Sequence, residues 1–196
     1  MKLYLASGNK HKYQEFFQAL CGVSLALPSE EGIHFEAEET GSSFLENAMI
    51  KARSLHDVLH VPVLADDSGL CVEALGGRPG IFSARYAIHP QGLDVPDYGI
   101  HRLLEEMQEV ENRRAMFVCT LVLYIEENRF FVLQETCKGE ICKGKRGAGG
   151  FGYDPIFFLP ELGKTMAELS ADEKNRVSHR GKAILACNAL LQSLNL

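Results

Sequence analysis

Lys2-Leu3-Tyr4-Leu5-Ala6-Ser7-Gly8-Asn9-Lys10-His11-Lys12-Tyr13-Gln14-Glu15-Phe16-Phe17-Gln18-Ala19-Leu20 begins with an apolar run, breaks, and resumes with a different period. Residues 2–6 read as a short buried strand. Ser7-Gly8-Asn9 interrupts it, and Tyr13, Phe16, Phe17 and Leu20 then recur at helical spacing, so a helix begins near Asn9. Outward from this unit, residues 23–27 read as a second strand and 36–41 as a strand end and loop. Ser43 with Glu46 three residues on is a capping box. It opens a helix that buries Phe44, Ala48, Ala52, Leu55 and Leu59, while Asn47 and Lys51 lie on a different face and point at one site. Val61-Pro62-Val63-Leu64-Ala65 reads as a buried strand that stops at Asp66-Asp67-Ser68-Gly69. Ile100, Leu103, Leu104 and Met107 mark another helix. Residues 115–126 and 129–141 pair across Glu127-Asn128 as an antiparallel hairpin. Ser170 and Glu173 form a second capping box, and the last helix starts near Ser178, burying Ile184, Cys187, Leu191 and Leu194. Strand–helix alternation followed by a hairpin predicts an α/β fold with a mixed sheet, in one domain spanning 1–196.

The chain has 196 residues, 46% hydrophobic and 23% charged, enough to bury a full core without disulfides or a structural metal. A net charge of −6 argues against a duplex nucleic-acid partner. A local lysine and arginine cluster can still hold a small anion. No apolar run approaches a membrane span, and Asn9 and Lys10 come too soon for a signal peptide. The six cysteines contain no C-x-x-C pair and read as reduced core residues of a cytoplasmic protein.

Four segments carry residue types suited to chemistry. Ser7-Gly8-Asn9-Lys10-His11-Lys12 places backbone N–H groups and two lysines at a helix start, which suits phosphate; the bland reading is a capped helix with solvated lysines. Asp66-Asp67-Ser68-Gly69, with Glu38 and Glu39, offers hard oxygen ligands for Mg²⁺. Adjacent strand residues face opposite ways, so one aspartate faces a given cleft; the competing reading is a β-turn. Gly147 to Pro155 matches G-x-G-x-x-G, but Tyr153-Asp154-Pro155 stands where a dinucleotide-binding helix would start. Gly139 to Lys145 begins like a P-loop, but Arg146 replaces the Ser or Thr that binds Mg²⁺. What remains is a loop that places an aromatic and an acid, suited to a base, or a surface loop with Phe151 tucked inward. Finally, His179 and Arg180 fall in the first turn of the last helix, where cations oppose the dipole unless an anion lies nearby. His56 and His60 have zinc-like spacing but no further ligand, and they suit a helix C-terminus.

Together these stretches resemble the Ham1-like inosine triphosphate pyrophosphatase family. The matching segments are Ser7-Gly8-Asn9-x-x-Lys12, Glu38-Glu39-Thr40-Gly41, Glu46-Asn47-Ala48-x-x-Lys51-Ala52 and Ala65-Asp66-Asp67-Ser68-Gly69-Leu70. They continue with Leu75-Gly76-Gly77-Arg78-Pro79-Gly80, Ser83-Ala84-Arg85-Tyr86, Gly149-Gly150-Phe151-Gly152-Tyr153-Asp154-Pro155 and Ser178-His179-Arg180-Gly181. They occur in family order along nearly the whole chain. The resemblance implies an elongated mixed sheet with flanking helices, two lobes around a central cleft, and a homodimer. It implies Mg²⁺-dependent hydrolysis of ITP, dITP and XTP to the monophosphate and pyrophosphate, with one Mg²⁺ per subunit. On that resemblance Ser7, Gly8, Asn9, Lys10, His11 and Lys12 bind the triphosphate, joined by Lys51. Glu38 and Asp67 hold the metal, and Asp67 is also the general base. Ser68 contacts substrate, and Phe151, Gly152, Tyr153, Asp154, Lys174, His179 and Arg180 bind the base. His179 or Arg180 would donate to the 6-keto oxygen that separates hypoxanthine and xanthine from adenine. The alternatives are a Maf-like or broader-range nucleotide pyrophosphatase and a non-catalytic nucleotide-binding module.

Overall fold

A computed structural model describes residues 2–95 and 97–194; Met1, Pro96, Asn195 and Leu196 lie outside it. In chain order the elements are β1 (Lys2–Leu5), α1 (Lys10–Ala19), β2 (Ser24–Ala26), α2 (Phe44–Leu59), β3 (Val63–Val72), α3 (Ser83–Tyr86) and α4 (Tyr98–Glu106). They are followed by β4 (Arg114–Glu126), β5 (Arg129–Ile141), β6 (Phe157–Leu159), β7 (Lys164–Thr165), α5 (Ala171–Val177) and α6 (His179–Ser193). The strands hydrogen-bond in the order β2-β1-β3-β4-β5-β6-β7. β1 is parallel to β2 and β3, whereas β6 is antiparallel to β5 and β7, so the sheet is mixed as expected.

The chain forms two compact units, each discontinuous in sequence. The first holds the residues up to Asp67, Cys119–Glu135 and those from His179 onward. Strand alternation gives it two apolar layers. Leu3, Leu5 and Leu64 pack with Phe16 of α1 and with Ile184, Cys187 and Leu191 of α6. Tyr4, Ala6, Val63 and Ala65 pack with Ala48, Ala52 and Leu55 of α2. Phe16 is fully buried, so its truncation to Ala should cost about 3–5 kcal/mol.

Helix α1 starts where the sequence break put it because Asn9 Oδ1 accepts from the N–H groups of His11 and Lys12, at 2.9 and 3.1 Å. Those are two of the donors a helix start leaves without an intrahelical partner. At α2 the box forms with a shift: Ser43 Oγ accepts from Glu46 N–H, while the Glu46 carboxylate accepts from the N–H and hydroxyl of Ser42. The Ser170–Glu173 box at α5 forms in full.

The second unit holds Ser68–Val118 and Thr136–Ser178. Its core joins Leu70, Val72, Leu103, Met107, Phe117, Ile141, Phe157 and Met166. Glu140 pairs with Phe158, which pairs in turn with Thr165. These two- and three-residue strands carry too little alternation to be read from sequence.

Three expectations change. Strand β3 does not stop at Asp66 but runs on through Asp67, Ser68 and Gly69 to Val72, because each acid finds a cation and can stay inside. Residues 36–41 contain no strand. All six cysteines are free, but only Cys119, Cys137 and Cys187 are core residues; Cys21 is exposed and Cys71 and Cys142 are half-buried. Among the described residues no helix is long and apolar enough to cross a membrane.

Candidate active site

The site begins with the pleat of β3. Leu64 belongs to the layer shared with α1 and α6, and Ala65 to the layer shared with α2. A period of two therefore sends Asp66 toward α1 and α6 and Asp67 toward α2. The contacts follow that parity. Asp66 Oδ2 lies 2.9 Å from Lys12 Nζ of α1 and 3.3 Å from Arg180 Nη2 of α6. Asp67 Oδ1 lies 3.0 Å from Lys51 Nζ, and Asp67 Oδ2 accepts from Asn47 Nδ2 at 3.3 Å, both from α2.

On the α2 side Lys51 also donates to Glu39 Oε1 at 2.6 Å. Asn47 Oδ1 accepts from Gly41 N–H at 2.9 Å, which pins the loop carrying Glu38 and Glu39. Gly41 cannot be replaced without movement: a Cβ there would lie 2.6 Å from Glu46 Cβ and 2.7 Å from Asn47 Oδ1. Asn47 and Lys51 are themselves buried, so they share the inward face with Ala48 and Ala52, contrary to the separate face expected. Glu38 is exposed and Glu39 half-buried. Burial raises the Asp67 carboxyl above its ordinary value and outweighs the opposing pull of Lys51 and Lys12. For Lys51, burial works against the charged form, but the carboxylates of Asp66, Asp67 and Glu39 prevail and raise it.

On the other side Asp66 is fully buried, which alone would raise it. The charges of Lys12, Arg180 and Lys51 overcome burial and hold it well below the ordinary range. Arg180 has a side chain only 3% exposed and also donates through Nη1 to Glu15 of α1. The anion required by a cation in the first turn of α6 is thus supplied by the protein's own carboxylates. His179 is buried beside it in sequence.

The loop before α1 is open: Gly8, Asn9, Lys10 and His11 are exposed, and a Cβ on Gly8 would meet nothing within 4 Å. Its donor set is narrower than expected, since Asn9 itself takes the N–H groups of His11 and Lys12.

In the second unit Asp154 Oδ2 accepts from Phe151 N–H at 2.9 Å and from Lys174 Nζ at 2.6 Å. Lys174 Nζ also sits 4.8 Å from the Phe151 ring centroid, a cation–π contact. Gly150 has φ +68°, and a Cβ there would fall 2.1 Å from Asp154 Oδ2, so only glycine fits. Tyr153 is buried, and its hydroxyl donates to Ser83 O at 3.0 Å. Ser83 Oγ in turn accepts from Leu70 N–H and donates to Gly80 O. The loop is therefore built around a buried acid, with Gly152 exposed, Phe151 half-buried and Ser68 of β3 half-buried.

The Ham1 family profile matches residues 3–190. The chain belongs to the Ham1 family. It is 50% identical over 192 residues to a Treponema denticola protein named dITP/XTP pyrophosphatase, covering 98% of this chain and 99% of that one. It is 53% identical over 188 residues to the protein of that name from Geobacillus kaustophilus, covering 93% and 90%. Among solved structures, a HAM1 protein from Coxiella burnetii superposes with TM-score 0.88 at 38% identity, covering 98% of this chain and 99% of that one. The Staphylococcus aureus Ham1 protein gives 0.87 at 41%, with the same coverage.

Of the residues in the Ham1 segments, the structure joins Lys51 and Asn47 to Asp67 on one side of β3 and Lys12 and Arg180 to Asp66 on the other, while Phe151, Asp154 and Lys174 meet in the second unit. Sequence alone assigned no contact role to Glu15, which accepts from Arg180, or to Ser83, which bonds Leu70 and Gly80 and accepts from Tyr153. Glu15 stands three residues after Lys12 on α1, a spacing that puts both on one face. Nothing in the sequence reveals the Ser83 contacts, which come from chain reversal in three dimensions.

Proposed function

We propose that this Ham1 protein hydrolyses noncanonical purine nucleoside triphosphates (dITP, ITP and XTP), releasing the monophosphate and pyrophosphate. It would act with Mg²⁺ as a cytoplasmic homodimer that cleanses the nucleotide pool. The names of its relatives support the substrate class. The observation that carries the chemistry is the pair of adjacent aspartates on β3, each matched to its own lysine.

Asp67 is the general base. Burial raises its carboxyl above its ordinary value, against the pull of Lys51 and Lys12. Asn47 and Lys51 each hold one of its oxygens, which orients the carboxylate toward an attacking water. Lys12 and Lys51, with Ser7, Gly8, Asn9, Lys10 and His11, bind the polyphosphate and stabilise the pyrophosphate as it leaves. The donor set suits a hard cation: Asp67 and the exposed Glu38 offer oxygen only, and Mg²⁺ on a nucleotide takes one or two carboxylates. Glu38 and Asp67 would hold it, and bound there it would supply charge neutralisation on phosphate oxygens. Phe151, Gly152, Tyr153, Asp154 and Lys174 serve the purine, Phe151 as a stacking face and Tyr153 as the anchor of the loop. Ser68 is a further substrate contact, and His179 or Arg180 is the donor to the 6-keto oxygen.

The test is a triphosphate panel with and without Mg²⁺, with pyrophosphate read by ion chromatography. Pyrophosphate from ITP, dITP and XTP, far exceeding that from ATP and only with Mg²⁺, is the expected result. Preference for modified pyrimidines, or tight ITP binding without product, would overturn it.

A further inference from the structure

Ser83 bonds in two directions inside the second unit, and both lead to residues of the candidate site. Residues 78–83 run back along the end of β3: Val72 N–H donates to Arg78 O at 3.1 Å, Cys71 pairs with Pro79, and Leu70 N–H donates to Ser83 Oγ at 2.8 Å. A buried strand N–H needs an acceptor, and here a hydroxyl stands where a neighbouring strand would offer a carbonyl. The hydroxyl has one proton, which goes to Gly80 O at 2.6 Å, so its oxygen stays turned to Leu70. In the other direction Ser83 O accepts from the Tyr153 hydroxyl at 3.0 Å. A Cβ on Gly99 would lie 3.1 Å from that hydroxyl and 2.8 Å from Ala87 Cα, so α4 packs closely over the tie. Leu70 lies two residues beyond Ser68 on β3, and Tyr153 is bonded in the chain to Asp154, which holds Phe151 N–H and Lys174. One serine therefore joins the strand end that carries Ser68 to the loop that carries Phe151 and Asp154.

We propose that Ser83 is a positioning residue that sets where the base-binding loop stands relative to the end of β3, and through that how strictly the purine is selected. This rests on the base-binding role given to the loop in the proposed hydrolysis. Without the Ser83 hydroxyl, Leu70 N–H and Gly80 O lose their common partner, and the Ser83 carbonyl no longer has a fixed place. Tyr153 then follows the carbonyl, and Phe151 and Asp154 shift with it. A loop held loosely accepts the wrong base more readily, because the contacts that discriminate are no longer fixed in place. Phosphate binding does not pass through this tie.

The test combines steady-state kinetics on ITP and ATP with calorimetry on IMP and on inorganic pyrophosphate, using the full-length protein. Pyrophosphate release by the wild type, faster from ITP than from ATP, comes first; its absence would refute the proposed function, and the calorimetry would still decide the role of Ser83. Ser83→Ala should lower the ITP-to-ATP ratio of kcat/KM about threefold to tenfold, the worth of one neutral hydrogen bond. It should weaken IMP binding by a similar factor and change pyrophosphate binding less than about twofold. Tyr153→Phe cuts the same tie at its other end, so the double variant should lose no more selectivity than the worse single one, within about twofold. Losses of selectivity that multiply in the double variant, equal weakening of IMP and pyrophosphate, or an unchanged ratio with unchanged IMP binding would overturn the proposal. If Ser83→Ala does not fold, Ser83→Cys, close in shape but a weak hydrogen-bonding group, is taken through the same measurements and decided by the same outcomes.

Discussion

Replacing Asn47 by Ala is the sharpest probe of how the site is held. Asn47 is fully buried and makes two bonds with one amide: it donates to Asp67 Oδ2 at 3.3 Å and accepts from Gly41 N–H at 2.9 Å. A hydrogen bond to a charged group contributes about 1.5–3 kcal/mol and a neutral one about 0.5–1.5, so losing both should cost about 3 kcal/mol. For a chain of this length that is a fall in Tm of roughly 6–12 °C. Function should suffer more than stability, because Asp67 loses the group on Oδ2 while the Glu38–Gly41 loop loses its pin. We expect kcat on ITP to fall about tenfold or more through misorientation alone. Asn47→Leu restores the volume without the bonds and should behave the same way. Thermal melts by circular dichroism, paired with pyrophosphate release at 25 °C, measure both effects. A Tm within about 2 °C of wild type with unchanged kcat would show that the amide holds neither partner, and the account of the α2 side would fall.

Further outcomes follow from the same geometry. Asp67→Asn should lower kcat by about two orders of magnitude or more, the range of a lost base, and near-normal turnover in steady-state kinetics would remove Asp67 from that role. Gly150→Ala forces an L side chain at φ +68° and drives a Cβ into Asp154 Oδ2, so urea unfolding should show a loss of at least about 1–2 kcal/mol together with weaker ITP binding. A neutral result would mean the loop is not built around Asp154. Glu173 is held down to about 2 by the Ser170 N–H, with help from Lys164 and the Ser170 hydroxyl. A depressed carboxyl stabilises the fold above its unfolded value and loses that contribution as pH falls toward the folded one. The stability gap between wild type and Glu173→Gln should therefore be constant near neutrality and close between about pH 4.5 and pH 2. A gap that does not change on acidification would refute the capping role.

Much of the architecture was readable in advance, because it depends on neighbours in the chain. Asn9, Ser43 and Ser170 announce helix starts since a cap bonds donors two or three residues away. The two-residue turn between β4 and β5 was equally local. The ordered motifs located Lys12, Lys51, Asp67 and the Gly149–Pro155 loop, and the period of a strand implied that Asp66 and Asp67 part company. Sequence could not say which aspartate meets which helix, because that depends on the layers in which Leu64 and Ala65 pack. It misread β3 as ending at the acids, since buried carboxylates look like turn residues until Lys12, Arg180 and Lys51 arrive from elsewhere in the chain. The partnership of Arg180 with Glu15 joins residues 165 apart, and that of Tyr153 with Ser83 joins residues 70 apart. Local chemistry decides where elements begin and which side chains can react; only the packed chain decides which charges lie close enough, and dry enough, to control one another.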